Sequence, residues 1–154
     1  MKMWKCLAAL AVLTLSGCAS VPTASNAEAD AVRSLNAPSE GTAGVFVFRD
    51  SYFGGALKKD IWVNGECLGE SAPGTFFYHE VEGNKPHVLS TESEFSENDI
   101  SLSVDAGKFY FVRQYIKMGV FVGGAGLDPV DEQVGRTAVQ KLSLAEKGNC
   151  SASN

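Results

Sequence analysis

The chain has 154 residues, 45% of them hydrophobic and 20% charged, with 13 basic side chains against 18 acidic ones. Phosphate backbones repel such an acidic surface, and Lys58-Lys59 is the one local basic pair, so nucleic acid is excluded as a partner. The length suits one domain with its own core, small enough to profit from a covalent staple.

Lys2 and Lys5 open the chain, Cys6 to Leu15 is an almost unbroken run of Ala, Leu and Val, and Leu15-Ser16-Gly17 then places small residues before Cys18. Basic start, apolar run and small residues before a cysteine together form a lipoprotein export signal over residues 1–17. An ordinary secretory signal is the competing reading. A transmembrane helix does not fit, because Cys6–Gly17 falls short of the roughly 20 apolar residues a bilayer core requires. Lipoprotein processing makes Cys18 the mature first residue, with a diacylglyceryl group on its thiol. Each buried methylene contributes about 0.8 kcal/mol, so two or three chains on one residue give a stable anchor. Ala19 and Ser20 follow, without the Asp that favours inner-membrane retention. The expected location is therefore the Gram-negative outer membrane, lipid-anchored, with the domain in the periplasm. Loss of residues 1–17 removes Lys2 and Lys5 and no acid, leaving 11 basic against 18 acidic residues and a net charge of −7.

Residues 18–43 are rich in Ala, Ser, Thr, Asn, Glu and Pro and read as the lipidated cysteine followed by a flexible spacer, with room for a short helix over Ala27–Leu35. From Gly44 the punctuation is that of an antiparallel β protein. Val45-Phe46-Val47-Phe48 is apolar on both faces and reads as a central strand. Leu57–Val63 and Glu66–Gly69 flank Asn64-Gly65, a two-residue hairpin signal whose members both accept positive φ. Thr75–Val81, His87–Thr91, Ile100–Val104 and Phe109–Lys117 follow as strands. Val120–Val122 extends the last of these, and Gly123–Gly126 ends it as a flexible loop. Val134, Ala138, Val139 and Leu142 recur at near-helical spacing, which predicts a helix over 131–142 with Gly135 as a weak point. The expected fold is mainly β, a small antiparallel β-sandwich of about seven strands with one short C-terminal helix. It spans residues 44–145, and 146–154 form a tail.

With Cys6 removed and Cys18 lipidated, Cys67 and Cys150 are left as the one possible intramolecular disulfide in an oxidising compartment. The alternative leaves Cys67 as a buried small apolar residue and Cys150 in a frayed tail.

Phe48-Arg49 is followed by a Ser/Gly-rich loop, by Val63-Asn64-Gly65 with Gly69 beyond it, and by Pro73-Gly74 among aromatics. A turn before His87 and Ala106-Gly107-Lys108 leading into Phe109–Arg113 complete the order. That succession resembles small bacterial lipoproteins of the domain-of-unknown-function family numbered 2846, across Gly44–Leu142. It also resembles short sandwich modules of bacterial envelope proteins. The resemblance implies the β fold and brings neither an activity nor catalytic residues. The Gly119–Gly126 stretch departs from the commoner pattern.

Chemistry-bearing groups are sparse. Strands paired through the turn between His79 and His87 could bring them near Glu80, Glu82 or Cys67, but no CxxC, HxH or HExxH spacing supports a metal site. No Gly-x-Ser-x-Gly elbow is present, and Gly123-Gly124-Ala125-Gly126 lacks the Lys-Ser/Thr of a phosphate loop. No catalytic residue, cofactor or metal is expected, and the chain does not read as an enzyme. Tyr52 and Phe53 in the Ser/Gly loop, with Met118 and Phe121 near the glycine loop, are the candidate partner contacts, since aromatics on polar loops bury much area with few rotors. Packing down onto the core is the competing reading for them. The expected role is a membrane-anchored interaction module that binds another envelope component, a protein, with a pocket for a small apolar or glycan ligand as the alternative.

Overall fold

The computed structural model describes residues 17–94 and 98–151, so the expected signal segment up to Ser16 lies outside the described residues. The protein is mainly β. Its elements are α1 (Asn26–Arg33), β1 (Thr42–Arg49), β2 (Lys59–Val63), β3 (Glu66–Ser71), β4 (Thr75–Glu82) and β5 (Lys85–Thr91). Then come β6 (Asp99–Val104), β7 (Phe109–Lys117), β8 (Gly124–Val130), α2 (Glu132–Val139) and β9 (Ser143–Leu144).

Two sheets face each other, one ordered β8-β7-β1-β4-β9 and the other β3-β2-β5-β6. The apolar run of β1 explains the architecture. Successive side chains point to opposite faces of a strand, so Val45 and Val47 enter the core between the sheets with Ile61, Phe77, Leu89 and Val112. Phe46 and Phe48 point the other way, into a second cluster with Phe76, Phe109, Phe111 and Val139, onto which Val32, Leu35 and Ala138 pack. Helices thus cover the outer face of the five-stranded sheet, making a third layer. The strand is central, as its pattern predicts.

Most pairings are antiparallel, but β1–β7 and β4–β9 run parallel. Between β1 and β7 the chain passes through β2 and β3 of the other sheet, returns as β4 beside β1 and crosses again through β5 and β6, a connection long enough for a parallel return. Asn64 (φ 52°) and Gly65 (φ 80°) turn the β2–β3 hairpin in the left-handed region, as the Asn-Gly pair predicts.

Three expectations are corrected. First, residues 18–43 are not a flexible spacer. Ser25 and Glu28 form a capping box that starts α1, Thr23 bridges to Ala145, and Ala24 N–H donates to the Leu144 carbonyl at 2.8 Å. Arg33, in the last turn, donates from Nε to the Val139 carbonyl at 2.9 Å and lies 5.4 Å over the Phe76 ring. Composition pointed to disorder, but Ala29, Val32 and Leu35 supply enough apolar surface to dock. Second, Gly124–Gly126 are not a loop but the start of β8, paired with Lys117, Ile116 and Tyr115. A Cβ on Gly126 would stand 2.6 Å from Lys117 Cε and Tyr115 Cζ, so glycine lets those side chains lie across the strand. Third, Val120–Val122 do not prolong β7; they stand in solvent between β7 and β8.

Cys67 in β3 and Cys150 are joined by a disulfide, with Cα atoms 6.0 Å apart. The expected tail is docked as far as it is described. Gly148 N–H donates to the Leu68 carbonyl at 3.0 Å, and Ser151 donates from backbone N to Oδ2 of the buried Asp60 at 2.9 Å.

Candidate functional site

The site grows out of one residue, Arg49, the wholly buried end of β1. Its guanidinium donates to three carbonyls of the next loop: Leu57 at 2.6 Å, Gly54 at 2.8 Å and Phe53 at 3.4 Å. Burial pushes the Arg49 pKa down from its ordinary value, yet an arginine stays charged at neutral pH. The loop is therefore wrapped around a fixed cation. Gly54, at φ +64°, brings the same loop against β7, where a Cβ would stand 2.9 Å from Ile116 Cγ2. Gly123 closes from the other side, with a Cβ position 2.6 Å from Leu57 Cδ1. The 51–57 loop and the 118–123 loop are consequently interlocked.

Glu94 shapes the second loop. Its carboxylate accepts from the backbone N–H of Val120 (2.8 Å), Phe121 (2.8 Å) and Val122 (3.1 Å). With those amides turned inward, the side chains turn out: Phe121 is 82% and Met118 84% exposed. Tyr52 (68%) and Phe53 (56%) stand out on the neighbouring loop. The two loops that carry the candidate contacts are thus brought together, and none of the four residues belongs to either core cluster. Cys18 is exposed, and Ala19 N–H donates to the Gly55 carbonyl at 2.8 Å. The expected lipidation residue is held at this same end.

Beside it, a groove of about 710 Å³ runs between β7 and α2, lined by Asp50, Tyr52, Arg113, Val134, Thr137 and Lys141 among others. Asp50 and Arg113 pair in bidentate fashion on its floor, Nε to Oδ1 and a terminal nitrogen to Oδ2, each at 3.0 Å. Arg113 also lies 5.4 Å over the Phe48 ring, which fixes its plane. Sequence reasoning missed this groove. The available signal was Gln133, Thr137 and Lys141 at a helical spacing of four beside the apolar stripe of α2.

The histidines are structural or peripheral. His87 is buried, with Nδ1 2.9 Å from Asn64 Nδ2 and Nε2 2.7 Å from the Glu82 carbonyl. The amide donates to Nδ1, so Nε2 carries the hydrogen and both ring nitrogens are engaged. His79 is half-buried, and desolvation together with Lys147 lowers its pKa against the opposing pull of Glu66 and Glu80. Cys67 is spent in the disulfide. Among the described residues no three His, Cys, Asp or Glu side chains are grouped to hold a metal ion.

Fold and site define a helix-covered β-sandwich whose distinctive surface lies on interlocked loops and an adjoining groove. The chain belongs to the family of proteins of unknown function DUF2846, which matches residues 39–125, from just before β1 to the start of β8. It is also 47% identical over 133 residues to an uncharacterised protein of Haemophilus influenzae, an alignment covering 86% of this chain and 79% of that one.

Proposed function

We propose that this chain is a lipoprotein of the Gram-negative outer membrane, anchored through lipidated Cys18, whose sandwich is a non-catalytic module binding another envelope protein from the periplasmic side. The observation that carries the reading is the open groove between β7 and α2, with the Asp50–Arg113 pair on its floor and exposed Tyr52 on its rim. A rigid aromatic beside preoriented charges has the makings of a recognition surface, since little entropy is lost on contact. Of the contacts expected from sequence, Tyr52 is assigned to this partner surface. Phe53 is on the same loop as Gly55, whose carbonyl accepts from the Ala19 N–H next to Cys18.

A photo-crosslinking amino acid at Thr137, on the exposed wall of the groove, tests the reading in cells. The expected result is one reproducible envelope protein, whose adduct disappears when Arg113→Gln is added. An adduct indifferent to Arg113 counts against the groove. A second reading, a small apolar or glycan ligand, is favoured by the groove volume, which falls within the range of ligand sites. Native mass spectrometry showing a small molecule retained by the purified protein would select it.

A further inference from the structure

Apart from Tyr52, which lines the groove, five of the nine exposed large hydrophobic side chains among the described residues lie on two loops: Phe53, Met118, Val120, Phe121 and Val122. In a chain that is 20% charged, neither 51–57 nor 118–123 contains a charged residue. Monomeric proteins rarely expose so contiguous an apolar surface without a use for it. Charge returns at the borders of the patch, with Asp50 directly before one loop, Lys58 and Lys59 directly after it, and Lys117 directly before the other.

The anchor decides what this surface meets. Ala19 is hydrogen-bonded to Gly55, and Cys18 Sγ lies 3.8 Å from where a Gly55 Cβ would stand. Acyl chains on that sulfur leave the protein beside Gly55, on the loop that carries Phe53. The segment after Cys18 is docked, so no free spacer separates the loops from the bilayer to which those chains belong. We propose that the 118–123 loop and the Phe53–Gly55 part of the 51–57 loop enter the interfacial layer of the membrane, so that the domain rests on the bilayer by its apolar end.

This inference depends on the lipoprotein reading above, and two further observations carry it. Backbone N–H groups that enter a water-poor layer must be satisfied within the protein, and Glu94 already accepts from three of them at the tip of the second loop. The bordering lysines are occupied: Lys58 Nζ is 2.8 Å from Glu70, Lys59 is 3.7 Å from Glu92, and Lys117 donates to Asn98 Oδ1 at 2.8 Å. Attraction to anionic lipid is thereby muted. The surface suits zwitterionic headgroups such as phosphatidylethanolamine, entered by apolar side chains and not held by charge.

Trp62 is buried and Trp4 belongs to the expected signal segment, so Phe121→Trp introduces one exposed reporter into the mature protein. The full chain is produced in Gram-negative cells, purified from membranes and reconstituted into phosphatidylethanolamine vesicles with a minority of phosphatidylglycerol, with or without brominated acyl chains. Mass analysis of the peptide that begins at Cys18 reads lipidation independently. Expected are a lipidated peptide, blue-shifted emission from the introduced indole and loss of most of that emission to bromine. The comparison variant Ser103→Trp, at an exposed position of β6 near the turn at Gly83-Asn84, should keep its emission.

A lipidated Phe121→Trp protein whose new indole is unquenched overturns the inference and leaves the anchor standing. If that indole is instead shielded as protein density rises, the covering surface is a second copy, which also overturns it. A peptide without lipid overturns the anchor reading and this inference together. If Phe121→Trp fails to fold, Phe53→Trp serves as the reporter under the same criteria.

Discussion

Arg49 is costly to bury and costly to remove, and the magnitudes decide between the two. Taking the guanidinium out of water opposes folding, which is why its pKa falls, and Nε finds no partner among the described residues. Replacing it by Leu would relieve that desolvation. It would also take the Arg49 donor from three carbonyls, and while Gly54 keeps the Leu57 N–H at 2.9 Å, Phe53 and Leu57 lose theirs, at about 1–3 kcal/mol for each that stays dry. The second effect is larger. Arg49→Leu is expected to lower unfolding stability by about 2–4 kcal/mol in urea titrations, and to open the 51–57 loop to chymotrypsin at Tyr52 or Phe53. Arg49→Lys should fall between, because an ammonium lacks the planar fork that spans separate carbonyls. An unchanged urea midpoint for Leu would show that water takes over those carbonyls. At this scale the sequence was partly legible. Phe48-Arg49 stood out as a marker, and Tyr52 and Phe53 as loop aromatics. That a cation organises the loop was not legible, since three main-chain carbonyls leave no trace in side-chain chemistry.

At the scale of elements, periodicity served well wherever one face was buried. Phe109–Lys117 is β7 from end to end, and Asn64-Gly65 marked its hairpin. It failed where glycine stood for contact instead of flexibility. Gly124–Gly126 begin a strand because large neighbours need the room. Gly135 sits within α2 because a Cβ would lie 2.1 Å from Phe111 Cγ and 2.3 Å from Phe111 Cβ. Phe111 has little freedom to yield, being stacked on Phe46 at 4.7 Å between centroids and 8° between planes. In an isolated helix Gly→Ala would gain about 1 kcal/mol. Here overpacking of about 1–3 kcal/mol outweighs that propensity. Gly135→Ala is expected to lower the thermal midpoint and to lift α2 from the sheet, with loss of fluorescence or crosslinking signals that report the groove. A rise in the midpoint would refute the packing argument. The groove itself escaped the sequence for a related reason: Asp50 follows β1, Arg113 is in β7 and Thr137 in α2, and only the fold brings them together.

For the whole molecule, the two chain ends behave as one structure. Pro22, Ala24, Leu144 and Glu146 exchange backbone hydrogen bonds, Ala19 is fixed to the 51–57 loop, and Gly148 and Ser151 are tied to β3 and β2. The disulfide closes this assembly across a separation of 83 residues. In the chain-entropy account a loop of that length is worth about 4–5 kcal/mol, and measured losses are commonly about 2–4 kcal/mol. Cys67→Ser with Cys150→Ser is therefore expected to cost about 2–4 kcal/mol, a large share of the stability of a domain this size. The loss should also be graded in space. Hydrogen exchange should quicken first at Gly148 and Ser151, where the staple held the tail, and next at Ala24 and Glu146, which depend on the paired ends. Phe46 and Val47, in the centre of β1, should stay protected until global unfolding. Uniformly faster exchange would mean that the disulfide acts only on the unfolded chain. The graded pattern would mean that it also holds the native ends in place, and with them the attachment of Cys18 to the apolar loops.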